Sequence, residues 1–363
     1  MSFSLLRPKR PINAVIFSRA NRTSLNQVYP FYLYRKKLAD LLDFHFSVVI
    51  VKSLADIDVH LANSYDISLL QLKIPPRNGF RLKHILQAIN AKKVLLDDND
   101  SSCQCAFDLI PFIDLYIKKQ TLIDLDKYVF LHPGGGRIHA GFIMQTSENS
   151  ALPLKFATVP HLFKQKFRVG WNIGVDKTCH DSIALSEVCL DNKRPMDVSA
   201  RIRVNLPAGL DSNFSWYTHH RRQCISAIIN LSNKYRVMVS DKRLSLSRYN
   251  KELRQSKICP SPWGLGEICH RDFEIIAAGA LLVKPPMEHL ITNPNIYIPN
   301  ETYVPVKPDF RDLYKTCRYF LENEDKRRQI AQNALNAYRA YFEKEQFVSQ
   351  ICNIVSSLFS NSK

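Results

Sequence analysis

The sequence predicts an α/β protein of two Rossmann-like halves that face each other across a cleft, with a C-terminal helix crossing back to the first half. Two observations carry that reading. Apolar strand-like runs alternate with helix-like runs on both sides of an irregular stretch, and a glycine loop near residue 264 feeds a short helix and then a buried strand. Strands joined by helices through short connections need crossovers, and crossovers build mostly parallel, helix-covered sheets.

In the first half AVIFS (14–18), SVVIV (47–51), DISLLQL (66–72), KVLLD (93–97) and DLYIK (114–118) read as strands, while PFYLYRKKLADLLDFH (30–45) and GFRLKHILQAINAKK (79–93) carry helical periodicity. Between 125 and 165 the alternation stops. LHPGGGRIHAG packs four of the chain's eleven glycines into eight positions and QTSENSALP is polar, so the domain boundary is expected near residue 160. His132, Arg137 and His139 sit in or beside that loop, where a cleft could use them. The second half, 161–340, resumes with FRVGWNIGV (167–175), DVSARIRVNL (197–206), a helix over 216–235, the strand RVMVS (236–240), a helix over 247–257 and the strand ICPS. A long helical stretch over 325–360 follows, of which 341–363 is expected to pack on the first half.

The stretch SPWGLGEICHRDFEIIAAGALLVKPP (261–286) holds the densest chemistry. Its loop cannot continue a helix, and Gly264 and Gly266 let backbone come close to something else. Residues 267–278 favour a helix, Gly279 suits its C-terminal stop, and 280–283 reads as a buried strand. Loop and helix N-terminus then share the sheet rim where open α/β folds bind anions. Glu267, Arg271 and Glu274 fall at i, i+4 and i+7, so all three are expected on one helix face. The plain alternative is an exposed Glu–Arg pair contributing a few tenths of a kcal/mol. Lys284 ends the strand and His289 follows it, on the ligand-binding side of the sheet.

Fifty Lys and Arg against thirty-three Asp and Glu give a net charge of +17, which implies an acidic partner: a nucleotide, an anionic membrane face or nucleic acid. A noncatalytic nucleic-acid-binding protein would need a basic stripe with interleaved aromatics or a known module, and no such module is found. Nine cysteines, an odd number without CxxC spacing, read as thiols in a reducing compartment. No window reaches eighteen apolar residues, so the expected location is cytoplasmic, with possible peripheral contact at the inner membrane.

The segments LRQSKICPSPWGLGEICHRDFEIIAAGALLVKP (253–285) and ETYVPVKPDFRDLYKTCRYFLENEDKRRQIAQNA (301–334) resemble the GT-B glycosyltransferases, specifically the bacterial CgeB-like and Cap10-like group. The resemblance covers the C-terminal third; the first half agrees in rhythm only. It implies a nucleotide-sugar donor, with Glu274 on the ribose and Arg271 on the phosphate. Glu267 precedes Glu274 by seven positions, one short of the spacing of the glutamate pair in retaining members. Glycosyl transfer also needs a base or a nucleophile, which in GT-B enzymes usually comes from the first half. Asp97, Asp98 and Asp100, clustered after an apolar strand, are the candidates, with Asp98 and Asp100 preferred. Lys118 and Arg221 are candidate phosphate cations. Asp98-Asn99-Asp100 is formally an Asp-x-Asp triplet, but no cofactor is expected and a divalent metal is disfavoured. The implied role is sugar transfer to a glycan or lipid-linked acceptor in bacterial surface polysaccharide or lipopolysaccharide synthesis, with Kdo transfer from CMP-Kdo as the alternative.

Overall fold

The computed structural model describes residues 10–61, 63–72, 79–127, 137–146, 161–184, 193–207, 209–210 and 214–359. The first half contributes β1 (Ile12–Ser18), β2 (Phe44–Ile50), β3 (Ile67–Gln71), β4 (Lys92–Asp97), β5 (Leu115–Lys118), β6 (Gln120–Leu122) and β7 (Phe167–Val169). All but β6 form one parallel sheet in the order β2-β1-β3-β4-β5-β7. The second half contributes β8 (Met196–Arg201), β9 (Val237–Ser240), β10 (Ser256–Pro260), β11 (Leu281–Lys284), β12 (Leu290–Thr292) and β13 (Val304–Pro305). Here the parallel order is β13-β11-β10-β8-β9. In both sheets the first strand lies between the second and third, so strand order reverses beside β1 and beside β8. Open α/β sheets bind ligands outside the carboxyl ends of the strands at such points.

The strands form where the sequence supplies short β-branched or leucine-rich runs that can be buried on both faces, as the last four residues of β4 and all of β11 are. A two-stranded antiparallel ribbon, β6 with β12, stitches the halves together by pairing Leu122 with Leu290 and Gln120 with Thr292. The helix Gln346–Phe359 crosses back and seals the first sheet. Phe347, Ile351 and Val355 join Ile16, Phe31 and Trp171 in one core.

Three expectations are corrected. The first sheet runs past residue 160, because β7 pairs with β5 before the chain enters the second half at β8. The helix expected over 30–45 is two, Arg22–Leu33 and Arg35–Leu42; Asn21 caps the first by accepting from the Ser24 N–H, and Pro30 sits inside it. The stretch over 325–360 is likewise two helices, Glu324–Glu343 and Gln346–Phe359, with Glu345 at φ 48° turning the chain between them. Among the described residues no helix is long and apolar enough to cross a membrane.

Candidate active site

The glycine loop meets the first half directly. A Cβ on Gly266 would overlap the Asp100 carbonyl, so a glycine is required for one backbone to rest on another. Gln120 Nε2 donates to the same carbonyl at 2.7 Å. Beside this contact Glu267 has no exposed surface and accepts from Ser102 N–H at 3.1 Å and from Ser102 Oγ at 2.7 Å. His139 Nδ1 lies 3.4 Å from Glu267 Oε1, His139 Nε2 lies 3.3 Å from the Gly264 carbonyl, and Arg137 Nε donates to the Leu265 carbonyl at 2.8 Å. Burial alone would raise the Glu267 pKa, but His139, His289 and Ser102 hold the carboxyl well below its usual value. His289 is half-buried, with its ring against Phe142 at 5.4 Å, and burial lowers its pKa. Glu267 and His289 therefore belong to the seam between the halves.

The helix begins at His270, three residues later than the sequence suggests, because Cys269 is the N-cap and its N–H is taken by the Asp272 carboxylate at 3.1 Å. This removes Glu267 from the face it was expected to share with Arg271 and Glu274. Lys284 is likewise turned inward. Its Nζ lies 3.2 Å from Asp272 Oδ2, both side chains are fully buried, and Tyr297 Oη donates to the same oxygen at 2.8 Å.

On the second half a groove opens where β8 and β9 end, lined by Arg203, Asn205, Tyr217, Lys242 and Arg243. Arg221, one turn and a half into the helix Ser215–Ile229, is 6% exposed; its Nη1 donates to the Arg203 carbonyl at 2.9 Å and its guanidinium lies over Tyr217 at 4.2 Å. Burial, and then the like charge of Arg271, push the Arg221 pKa down. Among the described residues neither arginine forms a salt bridge, so an anion placed between them would relieve both repulsion and desolvation. The Gly264 Cα faces the same spot: a Cβ there would stand 3.5 Å from Arg221 Nη2. Glu274, on the same helix as Arg271, has its pKa raised by burial.

On the first half a cavity is lined by Thr23, Asn26, Gln27, Asp98, Lys119, Trp171 and Asn172, with His270 entering from the other half. Of the three aspartates only Asp98, 4% exposed, lines it. Asp97 is locked in the interior, accepting from Tyr116 Oη at 2.5 Å, Lys118 Nζ at 3.0 Å and Asn99 N–H at 2.7 Å. Lys118 spends its other bond on the Gln104 carbonyl at 2.8 Å, so the pair is internal and Lys119 is the lysine that reaches the cavity. Asp100 lies under Gly266, its carboxylate 3.4 Å from Lys119 Nζ. The preceding glycine run with His132 lies outside the described residues. Among the described residues no group of three His, Cys, Asp or Glu is arranged to hold a metal ion.

Arg203 and His270 were not singled out from the sequence. Arg203 has a signal in its place just past a strand in the DVSARIRVNL run; His270 has none, since its value comes from a partner 94 residues away.

Two parallel sheets, each with a strand-order reversal, joined by a two-stranded ribbon and closed by a returning C-terminal helix, define the GT-B architecture. Residues 217–353 match the family described as glycosyl transferase-like. Among solved structures the chain is similar to an E. coli protein described as trehalose-6-phosphate bound with UDP-2-fluoro glucose, with 10% identity over 96% of this chain and 99% of that one and a TM-score of 0.53. It is also similar to a glycosyltransferase from Rickettsia africae ESF-5, with 12% identity over 97% and 100% and a TM-score of 0.50. No curated protein matches the chain. The fold is GT-B, and together with the family match it supports a glycosyltransferase.

Proposed function

We propose that the protein transfers a sugar from a nucleotide-activated donor to a hydroxyl of a glycan or lipid-linked acceptor. The observation that carries this reading is a pair of sites: a groove lined by Arg203, Lys242 and Arg243 on the second half, with Arg221 bonded behind it to the Arg203 carbonyl and close to Arg271, and a cavity with Asp98 and amide side chains on the first. The guanidiniums take the phosphates, and Glu274 accepts from the ribose hydroxyls in a charge-assisted contact. Asn26 and Gln27 offer amide groups of the kind hydroxyl-rich acceptors require, while the Asn172 amide is spent on Thr292, Pro294 and Gly174, and Asp98 is the carboxylate presented to the acceptor. As the bond to the leaving phosphate breaks, the fixed cations stabilise the growing charge without a metal; activity that vanishes in excess chelator would overturn that part.

The finer assignment, to the CgeB-like group and to bacterial surface polysaccharide or lipopolysaccharide synthesis, rests on the motif segments 253–285 and 301–334 and on the +17 charge, which suits docking on the anionic membrane that would present a lipid-linked acceptor. Kdo transfer is the variant in which the donor is a CMP-sugar. A thermal-shift screen against UDP, GDP, CMP and their sugars tests the reading. A ligand at about 100 times its dissociation constant adds about 2.7 kcal/mol. Salt-sensitive binding to generic DNA without any nucleotide-sugar response would favour the nucleic-acid reading instead.

A further inference from the structure

Resting on the transferase reading above, we propose that His270 takes the proton from the attacking acceptor hydroxyl, and that Asp176 orients it for that task. His270 opens the helix His270–Ala277 and lines the cavity between the halves in company with Asp98, Lys119, Asn26 and Asn172. Its side chain is 40% exposed, whereas that of Asp176 is 1% exposed, so the pair has one wet end and one dry end. Nε2 lies 3.0 Å from Asp176 Oδ2. A carboxylate can only accept, so Nε2 carries the hydrogen and Nδ1 keeps the lone pair.

Asp176 is held from both sides. Asn26 Nδ2 donates to Oδ2 at 2.8 Å, and the Cys179 N–H donates to Oδ1 at 2.8 Å. Burial alone would raise its pKa, but the bonds from His270 and Cys179 bring the carboxyl below its usual value, so it stays charged behind the ring. A fixed anion behind an imidazole selects the tautomer and stabilises the imidazolium that forms. The other charges around the ring are Arg271 and Glu274 on its own helix and Asp98 and Lys119 from the first half. An Asp–His pair that served packing alone would have no need to stand in the cavity, one residue before the arginine whose charge bears on Arg221.

In the step itself the acceptor O–H bond breaks and its proton goes to His270 Nδ1. The oxygen's electron pair forms the new bond to the anomeric carbon of the donor sugar. The bond from that carbon to the phosphate oxygen breaks, and its electrons leave with the nucleotide, whose charge meets Arg221 and Arg271. Asp98 holds the acceptor by accepting from a hydroxyl, and the exposed ring returns its proton to water.

The test measures release of free nucleotide from the UDP-, GDP- or CMP-sugar that gives the largest thermal shift, with water as the acceptor, alongside donor affinity by calorimetry. His270→Gln should cut turnover by about 10²–10⁴ with donor affinity within about threefold of wild type, and should abolish the acid limb of the kcat profile. Asp176→Asn should lower turnover with donor affinity unchanged, and added imidazole should restore part of the turnover of His270→Ala. Turnover in His270→Gln within about threefold of wild type, with the acid limb retained, overturns the His270 assignment and leaves the transferase reading standing. A wild-type chain that binds and turns over none of the three donor classes overturns both.

Discussion

Glu267 is a carboxylate with no exposed surface that stays ionised because His139 and Ser102 surround it. Its folded pKa lies below the ordinary 4.5, so its contribution to stability is complete above that value and is lost as pH falls through the depressed folded value. Glu267→Gln is therefore expected to lower stability by about 1.5–3 kcal/mol at neutral pH, and the gap from wild type should narrow in acid. Urea titrations at several pH values read this directly; a gap that widens in acid would assign the carboxyl another role. Glu274, within the helix His270–Ala277, is the proposed contact to the ribose. Glu274→Ala should weaken nucleotide affinity by about 1–3 kcal/mol with the fold intact, and Arg271→Ala should weaken a nucleotide but leave a nucleoside almost unaffected. Calorimetry with UMP against uridine, or the matching pair for another base, separates the two. The types of these residues were legible in the sequence. Their partners were not, because Glu267 meets Ser102 and His139 across 165 and 128 positions of chain, and periodicity along one helix carries no information about a contact from another element.

At the scale of elements, the loop before His270 is one of the places where the halves touch, beside the ribbon of β6 and β12. Gly266→Ala has no room, since the atom it would strike is the backbone carbonyl of Asp100 and not the end of a flexible side chain. The expected result is a loss of several kcal/mol or a displaced seam, and solvent exchange at the amides of Ser102 and Cys103 should rise. Unchanged protection there would show that the seam does not depend on that approach. The sequence correctly marks Gly266 as a site of close approach, but it points to a ligand where the structure has a neighbouring loop. A glycine reports that something comes near and says nothing of what. The helix start was misplaced for a related reason. Cys269 and Asp272 form the cap, and a cysteine N-cap is a weak signal beside the glutamate two positions earlier, which fits a first helical turn equally well.

At the scale of the whole molecule, the returning helix holds the first half closed. Phe347 is fully buried, its ring 5.1 Å from Phe31 and 4.8 Å from Trp171. Phe347→Ala should cost about 3–5 kcal/mol. That loss should appear as an earlier melting of the first half, while nucleotide still protects the second; simultaneous melting of both would mean that the halves unfold as one unit. Two mostly parallel sheets and the helix that crosses back follow from the sequence, because apolar runs of strand length separated by helical periods admit few other arrangements, whereas the order of the strands within each sheet came from the structure. The sequence also pointed to an anionic partner, through its charge and through arginines placed near a glycine loop. Only the tertiary structure decided which acidic and basic residues are spent inside the protein. Asp97 with Lys118 and Asp272 with Lys284 neutralise each other in the interior, whereas Asp98, Lys119 and His270 come to the cavity from different elements. A buried charge must find a partner wherever the fold brings one within a few ångströms, and that proximity is fixed by packing between elements and not by spacing along the chain.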